Sequence, residues 1–202
     1  AVVVVVNKAE AATAAAAAAD TIAAAPLELV ICWAGDSRVV LSADGGTAIE
    51  LSEDHTASRP DEKKRVQLAG GSVDSSHRVG GVLAVSRAFG DIMHKSIMDG
   101  DEFLQLIGSI SEQNAAQLQE GPLICTPDIR RHSIEPSDEF LIIASDGIWD
   151  VLTSQEAVFF VRRFLALNGG DVDAAANAII SHSLLLGSVD NVSAVIVVLN
   201  QL

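Results

Sequence analysis

Basic residues are scarce in this chain. Its 202 residues hold 13 Lys and Arg against 27 Asp and Glu, a formal net charge of −14. Proteins neutralise a nucleic-acid backbone with Lys and Arg, so this deficit argues against nucleic acid as a partner. The acidic excess is compatible with attracting divalent cations or basic protein segments. Cysteine is scarcer still, with Cys32 and Cys125 the whole complement. Both stand in apolar stretches, which predicts no disulfide framework and a reducing, intracellular setting, cytoplasmic or nuclear. No apolar run reaches the ~20 residues that span a bilayer, so no membrane segment is expected. An initiator Met is also lacking, and Ala1 to Val6 already reads as mid-strand. That start predicts chain missing upstream. A monomer is expected.

What is present is a large hydrophobic fraction, 49% of residues, enough for one domain core or a large part of one. We read residues 1–202 as a single, partial domain. Its centre is Asp138 to Val151. There the continuous apolar run Phe140 to Ala144 predicts a strand buried on both faces, and it leads directly into Ser145-Asp146-Gly147. A carboxylate at the mouth of such a strand loses hydration and needs a partner. Gly147 would let the backbone turn sharply, and Asp150 follows four residues later. The alternative is a turn Asp and a helix-start Asp, both solvated.

Around this centre, Val2 to Val6, Leu27 to Ala34, Arg38 to Ser42 and Thr47 to Leu51 read as antiparallel strands. Residues 7–26 form an Ala-rich insertion between the first two. Pro60 marks a short helix stopped by Gly70-Gly71. Residues 72–82 read as a polar excursion with little core pattern. Residues 96–122 read as a surface insertion, with Phe103, Leu106, Ile107 and Ile110 at helical spacing. Thr126-Pro127-Asp128 opens a strand. Thr153-Ser154-Gln155-Glu156 is a capping box for a helix running to about Leu167. Asp171 caps a second helix, whose Ala176, Ile180 and Leu184 share a face. Val192 to Leu199 is the last strand. Runs of strands followed by a helix pair predict an α+β fold, antiparallel sheet covered by helices.

Three turns repeat one physical pattern, an Asp beside an apolar strand: Gly35-Asp36-Ser37, Ser145-Asp146-Gly147 and Val189-Asp190-Asn191. If their strands are neighbours, the carboxylates converge. Like charges about 4 Å apart repel by roughly 1 to 4 kcal/mol per pair, so such a cluster calls for a metal. An all-oxygen donor set selects Mg²⁺ or Mn²⁺ over Zn²⁺. The chemistry that follows is metal-generated hydroxide attacking phosphorus in line.

At these residues the chain resembles the metal-dependent Ser/Thr protein phosphatases of type 2C. The resemblance rests on Ala34 to Arg38, Leu51 to His55, Ala69 to Val73, Leu83 to Asp91, Thr126 to Asp128, Ser145 to Val151 and Asp190 to Ser193, in that order, over about residues 27–200. It implies a four-layer α/β/β/α sandwich: two antiparallel sheets flanked by helices, with a dinuclear Mg²⁺/Mn²⁺ site at one end. By position, Asp146 and Asp190 would ligate the metal pair. Asp36 and Asp150 would join Asp146 at a third, weaker metal position. Asn191 would orient Asp190 through a hydrogen bond. His55 to Val82 would form a flap beside the cleft, and phosphorylated proteins would be the substrates. The family's upstream Asp-Gly-His-Gly-type loop, whose Asp bridges both metals, and its phosphate-holding Arg have no counterpart here. The isolated chain is therefore expected to be inactive or weak. A phosphatase-like binding module, acting through the flap or residues 96–122, is the competing expectation. Asp54 and Asp91 read as turn and capping residues, and the five histidines as packing or surface residues. Arg38 and Arg87 read as structural salt-bridge partners, and Trp33 and Trp149 as core aromatics.

Overall fold

The computed structural model describes residues 2–8, 27–91, 94–95 and 121–200. Most of the Ala-rich insertion, residues 9–26, and most of the second insertion, residues 96–120, lie outside the described residues, and with them the helix expected around Phe103 to Ile110. The chain divides into two compact units. One takes Ala34–Asp36 and Glu53–Asp128, and the other Val2–Trp33, Ser37–Ser52 and Ile129–Leu202.

The second of these carries the strands. Its β1 (Val2–Lys8), β2 (Leu27–Trp33) and β5 (Asp128–Ser133) form a three-stranded sheet, order β1-β2-β5. Its β3 (Arg38–Ala43), β4 (Thr47–Glu50), β6 (Asp138–Ala144) and β7 (Ala194–Val198) form a four-stranded sheet, order β4-β3-β6-β7. The pairings are antiparallel, with Val40 opposite Ile142 and Ile142 opposite Ile196. Side chains alternate faces along a strand, and here both faces are buried. Leu141 and, on β3, Val39 and Leu41 pack with Leu29, Ile31 and Trp33 of β2 between the sheets. Phe140, Ile142 and Ala144 face the other way, against helices. That is why β6 is apolar without interruption.

Those helices are α2 (Asp146–Trp149), α3 (Ser154–Leu167) and α4 (Val172–Leu185). Thr153 Oγ1 accepts from the Glu156 N–H, and the Glu156 carboxylate accepts from the Thr153 N–H at 2.9 Å, completing the expected capping box. Asp171 caps α4 by accepting from the Ala174 N–H at 2.9 Å. The buried face of α4 corrects the sequence reading. It is Ala175, Ile179 and Ser183, whereas Leu184 is 53% exposed. Apolar residues surround this helix on most sides, so spacing alone does not fix the phase. Ser183 tolerates burial because its hydroxyl donates to Ile179 O at 2.9 Å.

In the other unit, α1 (Pro60–Leu68) starts at Pro60, whose missing N–H costs nothing in the first turn. Its Val66 packs with Ala57 and Val79; Val79 is buried although it falls in the stretch read as a polar excursion. Beside this small core lies a buried ion network. Glu62 is 1% exposed. It accepts from Arg87 Nη2 at 2.7 Å, Arg65 Nη2 at 3.0 Å and Ser86 Oγ at 2.6 Å. Arg87 also donates to Asp128 at 2.8 Å. Burial alone raises the Glu62 pKa, but the bonds from Arg87, Arg65 and Ser86 outweigh it and lower it to about 2. Arg87 is thus a structural salt-bridge residue. Cys32 and Cys125 are both free, and Cys125 is exposed, against the apolar surroundings expected of it.

Candidate functional site

The second unit brings together three of the predicted carboxylates. β6 ends at Ala144, and Ser145 occupies the position before the four-residue helix α2, so Asp146 stands at the first position of that helix, two residues beyond the strand. The 187–193 loop, which precedes β7, is clamped against this corner. The Ser145 N–H donates to Ser193 O at 3.1 Å, Ser145 Oγ donates to Asn191 O at 3.0 Å, and the Ser193 N–H donates to Ser145 Oγ at 3.1 Å. Ser188 Oγ donates to Gly147 O at 2.7 Å. Asp190 is thereby carried next to α2.

Gly147 serves this contact in a way the sequence did not suggest. It is helical and has no positive φ. A Cβ there would lie 2.7 Å from Asn191 O and 3.2 Å from Val192 Cγ2. Glycine is needed for close approach, not for a turn.

The electrostatics record the convergence. Burial raises the Asp146 pKa first, then the Asp190 charge and, more weakly, the Asp150 charge; the Gly147 N–H, 3.0 Å from Oδ1, opposes them. Asp190 Oδ1 accepts from the Asn191 N–H at 2.6 Å. The bond between Asn191 and Asp190 is therefore made by the main chain, and any non-proline residue would supply that donor. Asp150 follows α2, its N–H bonded to Asp146 O at 2.8 Å. It borders a polar cleft of about 380 Å³ with Arg38, Trp149 and Ser154. Arg38 pairs with Glu50 at 3.3 Å and lies 5.3 Å above the Trp149 ring. Trp149 is held by its indole N–H, 2.9 Å from Ala144 O. Among the described residues, no Lys, Arg or His forms an ion pair with Asp146, Asp150 or Asp190.

Asp36 lies in the other compact unit, in the turn after β2. Gly35 there has φ 118°, a backbone that disfavours a side chain. The Gly35 N–H donates to His55 Nδ1 at 3.2 Å, so Nε2 of the imidazole carries the proton towards Asp128, 3.0 Å away. Burial lowers the His55 pKa below its ordinary value despite Asp128, which keeps this tautomer neutral. The sequence left His55 as a packing or surface residue, and it is fully buried. Among the described residues, no group of three or more His, Cys, Asp and Glu side chains is placed to hold a metal ion. The clamp serines, 145 and 188, carried no expectation; Ser145 was legible only as part of its motif.

The family model described as "Protein phosphatase 2C" matches residues 4–192. Probable protein phosphatase 2C 54 of Oryza sativa subsp. japonica is 40% identical over 169 residues, covering 84% of this chain and 42% of that protein. Probable protein phosphatase 2C 69 of Arabidopsis thaliana is 37% identical over 171 residues, with 84% and 40% covered. A crystal structure of a phosphatase from Toxoplasma gondii superposes with TM-score 0.69 at 28% identity, over 87% of this chain and 48% of that one. A sex-determining protein of C. elegans superposes with TM-score 0.66 at 26% identity, over 86% of this chain and 37% of that one. The chain spans less than half the length of the curated relatives it matches. This chain belongs to the protein phosphatase 2C family.

Proposed function

We propose that this protein hydrolyses phosphoserine and phosphothreonine in proteins, using two divalent cations, Mg²⁺ or Mn²⁺, held in part by Asp146 and Asp190. One observation carries the reading: Asp146 is half-buried beside Asp190 and Asp150, its carboxylate is disfavoured by burial and by both charges, and no cationic side chain neutralises it among the described residues. Hard oxygen donors with uncompensated charge fit Mg²⁺ or Mn²⁺. When bound, such ions supply Lewis acidity and an activated water. The described residues contribute part of a ligand set. The Ser145 clamp ties the loop that carries Asp190 to the start of α2, and the Asn191 N–H donates to the Asp190 carboxylate. Asp150 adds a further negative charge for a third, weaker ion. Asp36 enters only through its motif.

The test is phosphate release from a phosphothreonine peptide by the full-length protein with Mn²⁺. Asp146→Asn is expected to lower kcat/KM by more than about tenfold; a smaller loss overturns the assignment. A second reading, a catalytically deficient binding module, is favoured by the lack of a three-residue ligand group among the described residues. Absence of turnover by the full-length protein, with partner binding kept, would select it.

A further inference from the structure

The 187–193 loop has little apolar hold on the rest of its unit. Gly187, Asp190, Asn191 and Ser193 are exposed. Of its two valines, Val189 is fully exposed, and only Val192 packs against the helix-side core. The contacts that close the loop are polar, and they centre on two serines. Ser145 Oγ donates to Asn191 O at 3.0 Å and accepts from the Ser193 N–H at 3.1 Å, so one hydroxyl brackets three consecutive residues. Ser188 Oγ donates to Gly147 O at 2.7 Å, and its N–H donates to Ser183 O at 3.0 Å. Ser188 thereby ties the loop both to α2 and to the last turn of α4.

The same loop carries a charge that opposes this closure. Burial raises the Asp146 pKa first, and Asp190 raises it next. The charged groups acting on Asp146 are both carboxylates, Asp190 and Asp150. Like charges repel more strongly in a half-buried corner than in open water. A loop with few apolar contacts and a repelled carboxylate opens unless something else holds it. Here that hold comes from hydroxyl groups.

We propose that Ser145 and Ser188 are positioning residues. Their hydroxyls keep the Asp190 loop on α2 against the repulsion between Asp146 and Asp190, so that a divalent cation meets the two carboxylates already assembled. This rests on the reading of both carboxylates as cation ligands. Groups that orient metal-binding side chains govern affinity almost as the ligands do. A preassembled pair also spares the cation the cost of ordering the loop.

The experiment has a metal-free arm and a metal arm. In EDTA, hydrogen exchange at the residue-145 amide, which donates to Ser193 O at 3.1 Å, reports loop opening without involving either hydroxyl. Ser188→Ala should speed this exchange by about fivefold, the loss of one hydrogen bond. Asp190→Asn keeps Oδ1 as acceptor for the Asn191 N–H and removes the repulsion, so exchange should slow. The double variant should fall between the two. Unchanged exchange in Ser188→Ala, or exchange in Asp190→Asn that is not slowed, overturns the proposal. In the metal arm, calorimetry with Mn²⁺ should give an affinity at least about tenfold weaker in Ser145→Ala. Ser145→Thr, whose hydroxyl can make both bonds, should recover it. A serine that only stabilised the fold would lower Tm and leave the Mn²⁺ affinity unchanged, and that result overturns the positioning role. Wild type that binds no Mn²⁺ overturns the metal reading beneath the proposal. The exchange arm, which needs no metal, tells that failure from the first.

Discussion

Gly147→Ala is the substitution that most sharply probes how the acidic corner is built. An added Cβ would sit 2.7 Å from Asn191 O and 3.2 Å from Asn191 C, where ordinary contact begins near 3.4 Å. One side of this clash is the carbonyl of the 187–193 loop and the other is helix backbone, so no rotamer relieves it. The loop must move by about 0.7 Å at the oxygen, straining the Ser145–Asn191 bond of 3.0 Å and the Ser188–Gly147 bond of 2.7 Å. Overpacking of this kind costs ~1–3 kcal/mol. For a domain of this size that lowers Tm by roughly 2–12 °C. Urea denaturation of wild type, Gly147→Ala, Ser145→Ala and the double variant measures it. The two changes act on one contact, so their effects should be non-additive by at least ~0.5 kcal/mol. Gly147→Ala within ~0.5 kcal/mol of wild type, or strict additivity, would refute the close-approach account.

The buried network makes a separate prediction for pH. The folded pKa of Glu62 is about 2 against an ordinary 4.5, held down against burial by Arg87, Arg65 and Ser86. A lowered carboxylate pKa gives stability that is complete above the unfolded value and is lost as pH falls through the folded value. The expected loss is on the order of 3 kcal/mol between pH 4.5 and 2. Glu62→Gln should remove that dependence while destabilising the protein at pH 7, by ~3–5 kcal/mol, because Arg87 and Arg65 lose their buried anion. Denaturation curves at pH 3 and pH 7 for both proteins check it; parallel losses in the two would count against it.

Much of the second unit could be read from residue order. The uninterrupted Phe140–Ala144 run, buried on both faces, located the central strand, and Thr153–Glu156 and Asp171 located both helix starts. These signals are local, so sequence carries them. The phase of α4 was not legible, because Ala176, Ile180 and Ala175, Ile179 offer equivalent stripes and a buried serine satisfied by its own helix does not look apolar. The role of Gly147 was misread for a related reason: its constraint comes from Asn191, 44 positions away in sequence. Glu62, Arg65 and Arg87 likewise form one network only after folding. Asp36, Asp146 and Asp190 were named together because each stands in a turn beside an apolar strand, and Asp150 because it follows Asp146 by four residues; of these, Asp190 and Asp150 act on Asp146, while Asp36 falls in the other unit.

The most direct measurement is Mn²⁺ binding to this chain by calorimetry, in wild type, Asp146→Asn and Asp190→Asn. If these carboxylates share a cation, each variant should bind Mn²⁺ at least about tenfold more weakly than wild type, while Asp171→Asn, at the start of α4, stays unchanged. Equal affinity in all four proteins would mean that the acidic corner holds no ion.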